Sequence, residues 1–83
     1  MSLDSRIANV VAGVFNTDPA SVSPDLKIGD IAEWDSLGQL NLIIEIERTF
    51  GTKFDGEQLI VLNSLAAIQN ELEYRNLWAV GRT

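Results

Sequence analysis

The segment from Ser36 to Phe50 constrains the fold most, because its apolar residues repeat at helical spacing along two sides of one helix. With successive residues about 100° apart around the axis, one stripe faces a core and contains Leu42, Ile43, Ile46 and Phe50. The other stripe lies nearly opposite and contains Leu37, Leu40 and Ile44. A small bundle cannot easily bury both stripes. Either the preceding loop covers the second stripe, or the stripe is exposed and docks a partner.

Two further main helices are predicted on either side of this central one. Apolar residues at spacings of three and four predict a helix over 3–16. Gly51 ends the central helix as a C-terminal cap. Asn63 or Ser64 then caps a last helix, predicted over 64–76.

The remaining signals predict shorter elements. Asp18, which precedes a proline, predicts one capped turn inside a long loop over 17–29. A second single turn is predicted at 30–33. The spacing of Asp55 and Gln58 resembles a capping box and predicts a short helix over 56–61.

No segment alternates with a period of two, so the sequence gives no support for strands. We therefore predict an all-α fold, a small bundle of three main helices and one short helix, with residues 1–83 as a single domain. The predicted core contains Ile7, Val11, Val14, Phe15, Leu42, Ile46, Phe50, Leu65, Ile68 and Leu72.

Composition excludes most catalytic chemistry. The chain has no cysteine and no histidine, so thiolate nucleophiles and the usual general base and metal ligands are absent. We expect neither an enzyme nor a metal site. Twelve acidic side chains against six basic ones make nucleic-acid binding improbable. No leader peptide and no apolar run of membrane-spanning length is visible, and we expect a cytoplasmic monomer that does not bind membranes.

The negative charge is concentrated in the middle of the chain. Between Asp30 and Glu57 there are seven acidic residues and two basic ones, Arg48 and Lys53. This segment carries a sum of -5 out of the total of -6. The electrostatic field is therefore centred on the middle helix and its entrance.

Ser36 lies at that entrance and has two interpretations. It could be a helix cap, with Gln39 three residues on completing a capping box. The run from Asp35 to Leu37 also matches the end of a serine esterase signature. That chemistry fails here, because Trp34 stands where the signature needs glycine and no histidine can accept the serine proton.

The stretch from Trp34 to Gly51 resembles the acyl and peptidyl carrier protein family. That family is similar in its helix order, its long first loop, an Asp-Ser-Leu at the mouth of the second helix and a Glu-x-x-Phe near its end. Here these motifs are Asp35 to Leu37 and Glu47 to Phe50. The resemblance covers about nine tenths of the chain.

The resemblance implies that Ser36 carries a 4'-phosphopantetheine arm, derived from coenzyme A, whose thiol holds a substrate as a thioester. Asp35 and Leu37 would belong to the motif read by a phosphopantetheinyl transferase; otherwise Asp35 is a solvated loop acid. The other implied partners are enzymes that load and transfer acyl or aminoacyl groups. The face implied to bind these partners contains Leu37, Leu40, Asn41, Ile44, Glu47 and Arg48.

Two features separate this chain from housekeeping fatty-acid carriers, which it otherwise resembles. The helix after the serine is poorer in acids and contains Arg48, and Trp34 precedes the motif. A specialised carrier for polyketide, nonribosomal peptide or aminoacyl chemistry is therefore expected. Met1 and the short tail favour a free-standing protein. The alternative is an acidic helical interaction module that is never modified.

Overall fold

The computed structural model describes residues 3–75 and is all-α, as predicted. In chain order it contains α1 (Ser5–Phe15), a short 3-10 turn (Pro19–Ser21), α2 (Ser36–Phe50), α3 (Gly56–Val61) and α4 (Leu65–Tyr74). Within the described range the extended pairing is a single isolated bridge between Lys27 and Ser64. None of the helices described is long and apolar enough to cross a membrane.

The helix ends follow local capping chemistry. The Asp4 carboxylate accepts the Arg6 backbone N–H, so α1 begins at Ser5 and not at residue 3 as predicted. Asn16 ends α1 in the left-handed conformation with φ 54°, and Gly51 ends α2 in the same way with φ 64°.

The later caps also match their sequence signals. Asp55 and Gln58 form the capping box of α3, and the Ser64 hydroxyl caps α4 by accepting the Ala67 backbone N–H. Helix α4 ends at Tyr74, and residue 76 of the predicted last helix lies outside the described residues.

The predicted core residues pack together, with Val14 half-buried at its edge. Sequence reasoning left out Trp34 and Leu62, which are both buried, and Trp34 is among the largest fully buried side chains. Trp34 precedes α2 between two acids, where no helical periodicity marks it as a core residue. The loop before α2 is therefore anchored in the core by its last apolar side chain.

The long first loop is also tied to the junction between α3 and α4. The Leu65 N–H donates to the Leu26 carbonyl at 3.0 Å, and the Ile28 N–H donates to the Asn63 carbonyl at 2.9 Å. The predicted turn at 30–33 is closed by the Trp34 N–H, which donates to the Ile31 carbonyl at 2.9 Å. These backbone bonds fix the path of the chain into α2.

Helix α3 has no fully buried residue and is held at its start by Arg75. The Arg75 guanidinium donates to the Lys53 carbonyl at 2.7 Å, to Gln58 Oε1 at 2.8 Å and to Glu71 Oε2 at 2.6 Å. It also lies over the Phe54 ring, 4.6 Å from the centroid. Polar contacts therefore add to the partial burial of Leu59 in positioning α3.

Candidate functional site

Ser36 is the first residue of α2 and is exposed, but it is not the helix cap. Asp35 is the cap: its backbone is extended, with φ -105° and ψ -162°, and its Oδ1 accepts the Gly38 N–H at 2.9 Å. The capping interpretation of Ser36 and the capping box with Gln39 are both wrong. Because the Asp35 carboxylate satisfies the helix start, the Ser36 hydroxyl is not required for capping.

Gly38 lets α2 begin close against the preceding loop. A Cβ on Gly38 would collide with the Glu33 carbonyl oxygen and would come within 3.0 Å of the Phe15 ring. Any larger residue would therefore push the helix entrance away from the loop. Gly38 therefore allows the first turn of α2, which contains Ser36, to pack closely against the loop.

Trp34 anchors the entrance from below. Its ring stacks on Phe15 of α1 with centroids 5.7 Å apart, and its Nε1–H donates to Gln39 Oε1 at 2.7 Å. In the sequence, Trp34 is one of the features that distinguish this chain from housekeeping fatty-acid carriers. In the structure it connects α1, the loop and α2 through its contacts with Phe15 and Gln39.

Gln39 extends this connection to α3. It is buried, and its Nε2 donates to the Leu59 carbonyl at 3.0 Å and to the Leu62 carbonyl at 2.7 Å. No side-chain polar atom buried in the described part of the chain lacks a partner. Gln39 therefore satisfies the last turn of α3 while accepting from Trp34, a role that its sequence position did not reveal.

The second apolar stripe of α2 is exposed. Leu37, Leu40 and Ile44 keep 67%, 42% and 40% of their surface accessible, so the loop does not cover them as the first interpretation required. Ile60 and Val61 of α3 are also exposed, at 74% and 61%. Sequence reasoning missed this pair, because six residues are too few to define a face by periodicity.

The polar residues assigned to the partner face differ in their exposure and in their bonds to the rest of the protein. Asn41 is exposed, and Arg48 is exposed with its Nη1 2.9 Å from Glu45 Oε2. Glu47 is half-buried, and its Oε2 accepts the Phe54 N–H at 2.7 Å. Glu47 therefore also fastens the segment after α2, in addition to any role toward a partner.

An open groove lies on the α1 side of the entrance to α2. A groove of about 240 Å³ lies between the C-terminal part of α1 and the start of α2, with Glu33, Asp35, Leu37 and Asn41 among its lining. Within residues 3–75 no group of histidine, cysteine or acidic side chains is arranged to hold a metal ion. The chemical groups at this site are a hydroxyl, a helix start and nearby carboxylates.

Comparison with models of protein families identifies the family of this chain. A model of the phosphopantetheine attachment site matches residues 5–72, a span that runs from the first residue of α1 into α4. The chain belongs to the phosphopantetheine attachment site family. A search of curated proteins finds no significant match.

Membership defines the cofactor and the general role of this carrier domain. Domains of this family are the sites of covalent 4'-phosphopantetheine attachment, and they are typically non-catalytic carriers. They interact with the enzymes that modify them and with biosynthetic enzymes. The predicted family and cofactor are confirmed.

Proposed function

We propose that Ser36 is the residue that carries the phosphopantetheine arm. The supporting observation is an exposed serine at the first position of α2 whose hydroxyl is released from capping by Asp35. The first backbone N–H groups of a helix have no intrahelical acceptor, and the helix dipole is positive at this end. Both features suit the negative phosphodiester that attachment to Ser36 would create.

The arm would supply a thiol that the chain itself lacks, since the sequence contains no cysteine. We propose that this carrier holds acyl, aminoacyl or polyketide intermediates as thioesters and presents them to partner enzymes. The exposed Arg48 and the shortage of acids along α2 support a specialised biosynthetic pathway over housekeeping fatty-acid synthesis. A phosphopantetheinyl transferase and loading and transferring enzymes are its proposed partners, and a cytoplasmic, monomeric state stays a prediction.

The proposed partner face is the exposed side of α2. Leu37 and Ile44 supply accessible apolar surface beside the serine, and Asn41 lies between them on the same side. Leu40, Glu47 and Arg48 complete the proposed face. Apolar contact would hold a partner there, while the surrounding charge would steer its approach.

The attachment site is tested by intact mass after incubation with a phosphopantetheinyl transferase and coenzyme A. Ser36→Ala should gain no arm and should stay folded, because the helix cap is Asp35. Ser5→Ala is the matched control, since Ser5 is also exposed and also follows a capping aspartate at the start of a helix. Ser5→Ala should be modified like the natural chain.

Two results would contradict the proposal. If Ser36→Ala still gains the arm, the attachment residue is another one. If the natural chain gains no arm under conditions that modify a known carrier, the chain is better described as an unmodified acidic interaction module.

A further inference from the structure

The seam between α2 and α3 is closed by Gln39, one helical turn after Ser36. Ser36, Gln39 and Ile43 follow one another at spacings of three and four, so they lie on one face of α2. Gln39 is 6% exposed, Ile43 is 3% exposed, and Ser36 is exposed above them. An acyl chain that is attached through Ser36 and turns into the bundle on this face would meet Gln39 first.

Gln39 also holds the facing element in place. Its Nε2 donates to the carbonyls of Leu59 and Leu62, at the C-terminal end of α3, while its Oε1 accepts from Trp34. Separating α3 from α2 would break both bonds to α3 and would leave buried polar groups without partners. The seam is therefore closed by a fully bonded amide and not only by apolar contact.

The open space between the two helices begins farther from the serine. A groove of about 240 Å³ is lined by Leu40, Ile43, Glu47 and Phe54, among others, and it opens to solvent. The acyl chain of the cargo could lie along this surface. To enter the interior directly along the face of α2 that contains Ser36, Gln39 and Ile43, the acyl chain would have to displace the Gln39 side chain.

We propose that Gln39 is a positioning residue that keeps the cargo out of the helical core, so that the thioester stays accessible to solvent and to partner enzymes whatever the length of the carried chain. This inference rests on the proposed attachment at Ser36. Exclusion from the core suits a carrier of polar or varied cargo, because no interior space has to fit each intermediate.

The test loads the natural chain, Gln39→Ala and Gln69→Ala with butanoyl- or octanoyl-phosphopantetheine, using a transferase and the corresponding acyl-coenzyme A. Intact mass first verifies loading, and the release of free thiol by hydroxylamine then measures thioester accessibility. Backbone amide shifts of Leu62, Leu65 and Ile68 report separately on entry into the core. Gln69→Ala is the matched control, because it removes another buried glutamine amide, on α4, whose Oε1 accepts the Asp4 N–H at 2.6 Å.

In the natural chain the two thioesters should be cleaved at rates within about twofold of each other, since neither is protected. In Gln39→Ala the octanoyl thioester should be cleaved about fivefold or more slowly than the butanoyl one, because the longer chain gains more from burial. Gln69→Ala should behave like the natural chain.

Protection of the octanoyl thioester in the natural chain, with shifted core amides, would overturn the proposal even if Gln39→Ala did not fold. Equal cleavage of both thioesters in a folded Gln39→Ala would show that Gln39 is not the barrier. Failure of the natural chain to take up any acyl arm would instead refute the proposed attachment itself.

Discussion

Gly38 and Gly13 are both helical glycines, but they should respond oppositely to an added methyl group. Gly38→Ala should destabilise the domain by about 1–3 kcal/mol, because its Cβ would press on the Glu33 carbonyl and the Phe15 ring. Gly13→Ala meets nothing within 4 Å and should stabilise α1 by about 0.5–1 kcal/mol. Urea unfolding of the two variants measures both effects. Equal changes of the same sign would contradict a special close approach at Gly38.

Asp30 should make the loop before α2 sensitive to acid. The Lys27 backbone N–H, 3.0 Å from Oδ2, is the main cause that lowers the pKa of Asp30 below 3.8, and the Lys27 ammonium adds to it. A lowered pKa in the folded state gives stability that is present above the unfolded value and lost as the pH falls through the folded one.

Asp30→Asn keeps an acceptor for the Lys27 N–H but cannot titrate. Its deficit in unfolding free energy should therefore be present at neutral pH and should shrink as the pH falls below 3.8 and through the lowered pKa of the folded state. Urea unfolding of both proteins across the acid range measures this difference. A deficit that does not change with pH would mean that the Asp30 charge has no part in it.

Individual residues also show where sequence reasoning stops. The Asp35 to Leu37 motif was visible, because a run of adjacent residues can be read directly from the sequence. Asp35, and not Ser36, caps α2, and this depends on a backbone conformation that the composition at the two positions does not determine. Trp34 and Gln39 meet only after the loop has turned beneath α2, so their hydrogen bond had no signal in local periodicity.

At the scale of elements, the two faces of α2 should separate stability from recognition. Phe50→Ala on the buried stripe should cost about 3 kcal/mol or more. Ile44→Lys on the exposed stripe should change stability by about 1 kcal/mol or less and should slow modification by the transferase or transfer to a partner enzyme. Denaturant titration and the rate of arm attachment distinguish the two effects. Unfolding of Ile44→Lys would make the exposed stripe structural.

The three longer helices were predictable from the sequence, whereas for the short helix α3 the sequence indicated its existence but not its position. The buried stripe of α2 and the capping box of α3 could both be read directly from residue spacing. The position of α3 could not, because it depends on Gln39 of α2 and on Arg75, which directly follows α4. The exposed apolar pair on α3 follows from that position.

For the whole molecule, the uneven charge should control the rate of encounter with partners. Glu33 and Glu57 are exposed acids of the negative middle segment, whereas Glu73 is exposed on α4 outside it. Replacing both Glu33 and Glu57 with glutamine should lower the transferase kcat/KM about threefold at low salt. The effect should fade as ionic strength rises, because exposed charges are screened over about 10 Å at 0.1 M.

Glu73→Gln is the control for that measurement and should leave the rate almost unchanged. Glu47 is less suitable than these acids, because its carboxylate also bonds the Phe54 N–H and its loss would disturb the segment before α3. A loss of rate that is the same at every salt concentration would remove charge steering from the account.

The bonds from Leu26 and Ile28 to the start of α4 close a chain segment that contains all of α2 and α3. Closing so long a segment carries an entropic cost that is recovered only when distant parts of the molecule dock. A short peptide with the Asp-Ser-Leu motif lacks this closure, and it also lacks the buried Trp34 that holds the loop against α1. The conformation at the entrance to α2 is therefore set by contacts between distant parts of the chain and not by the motif alone.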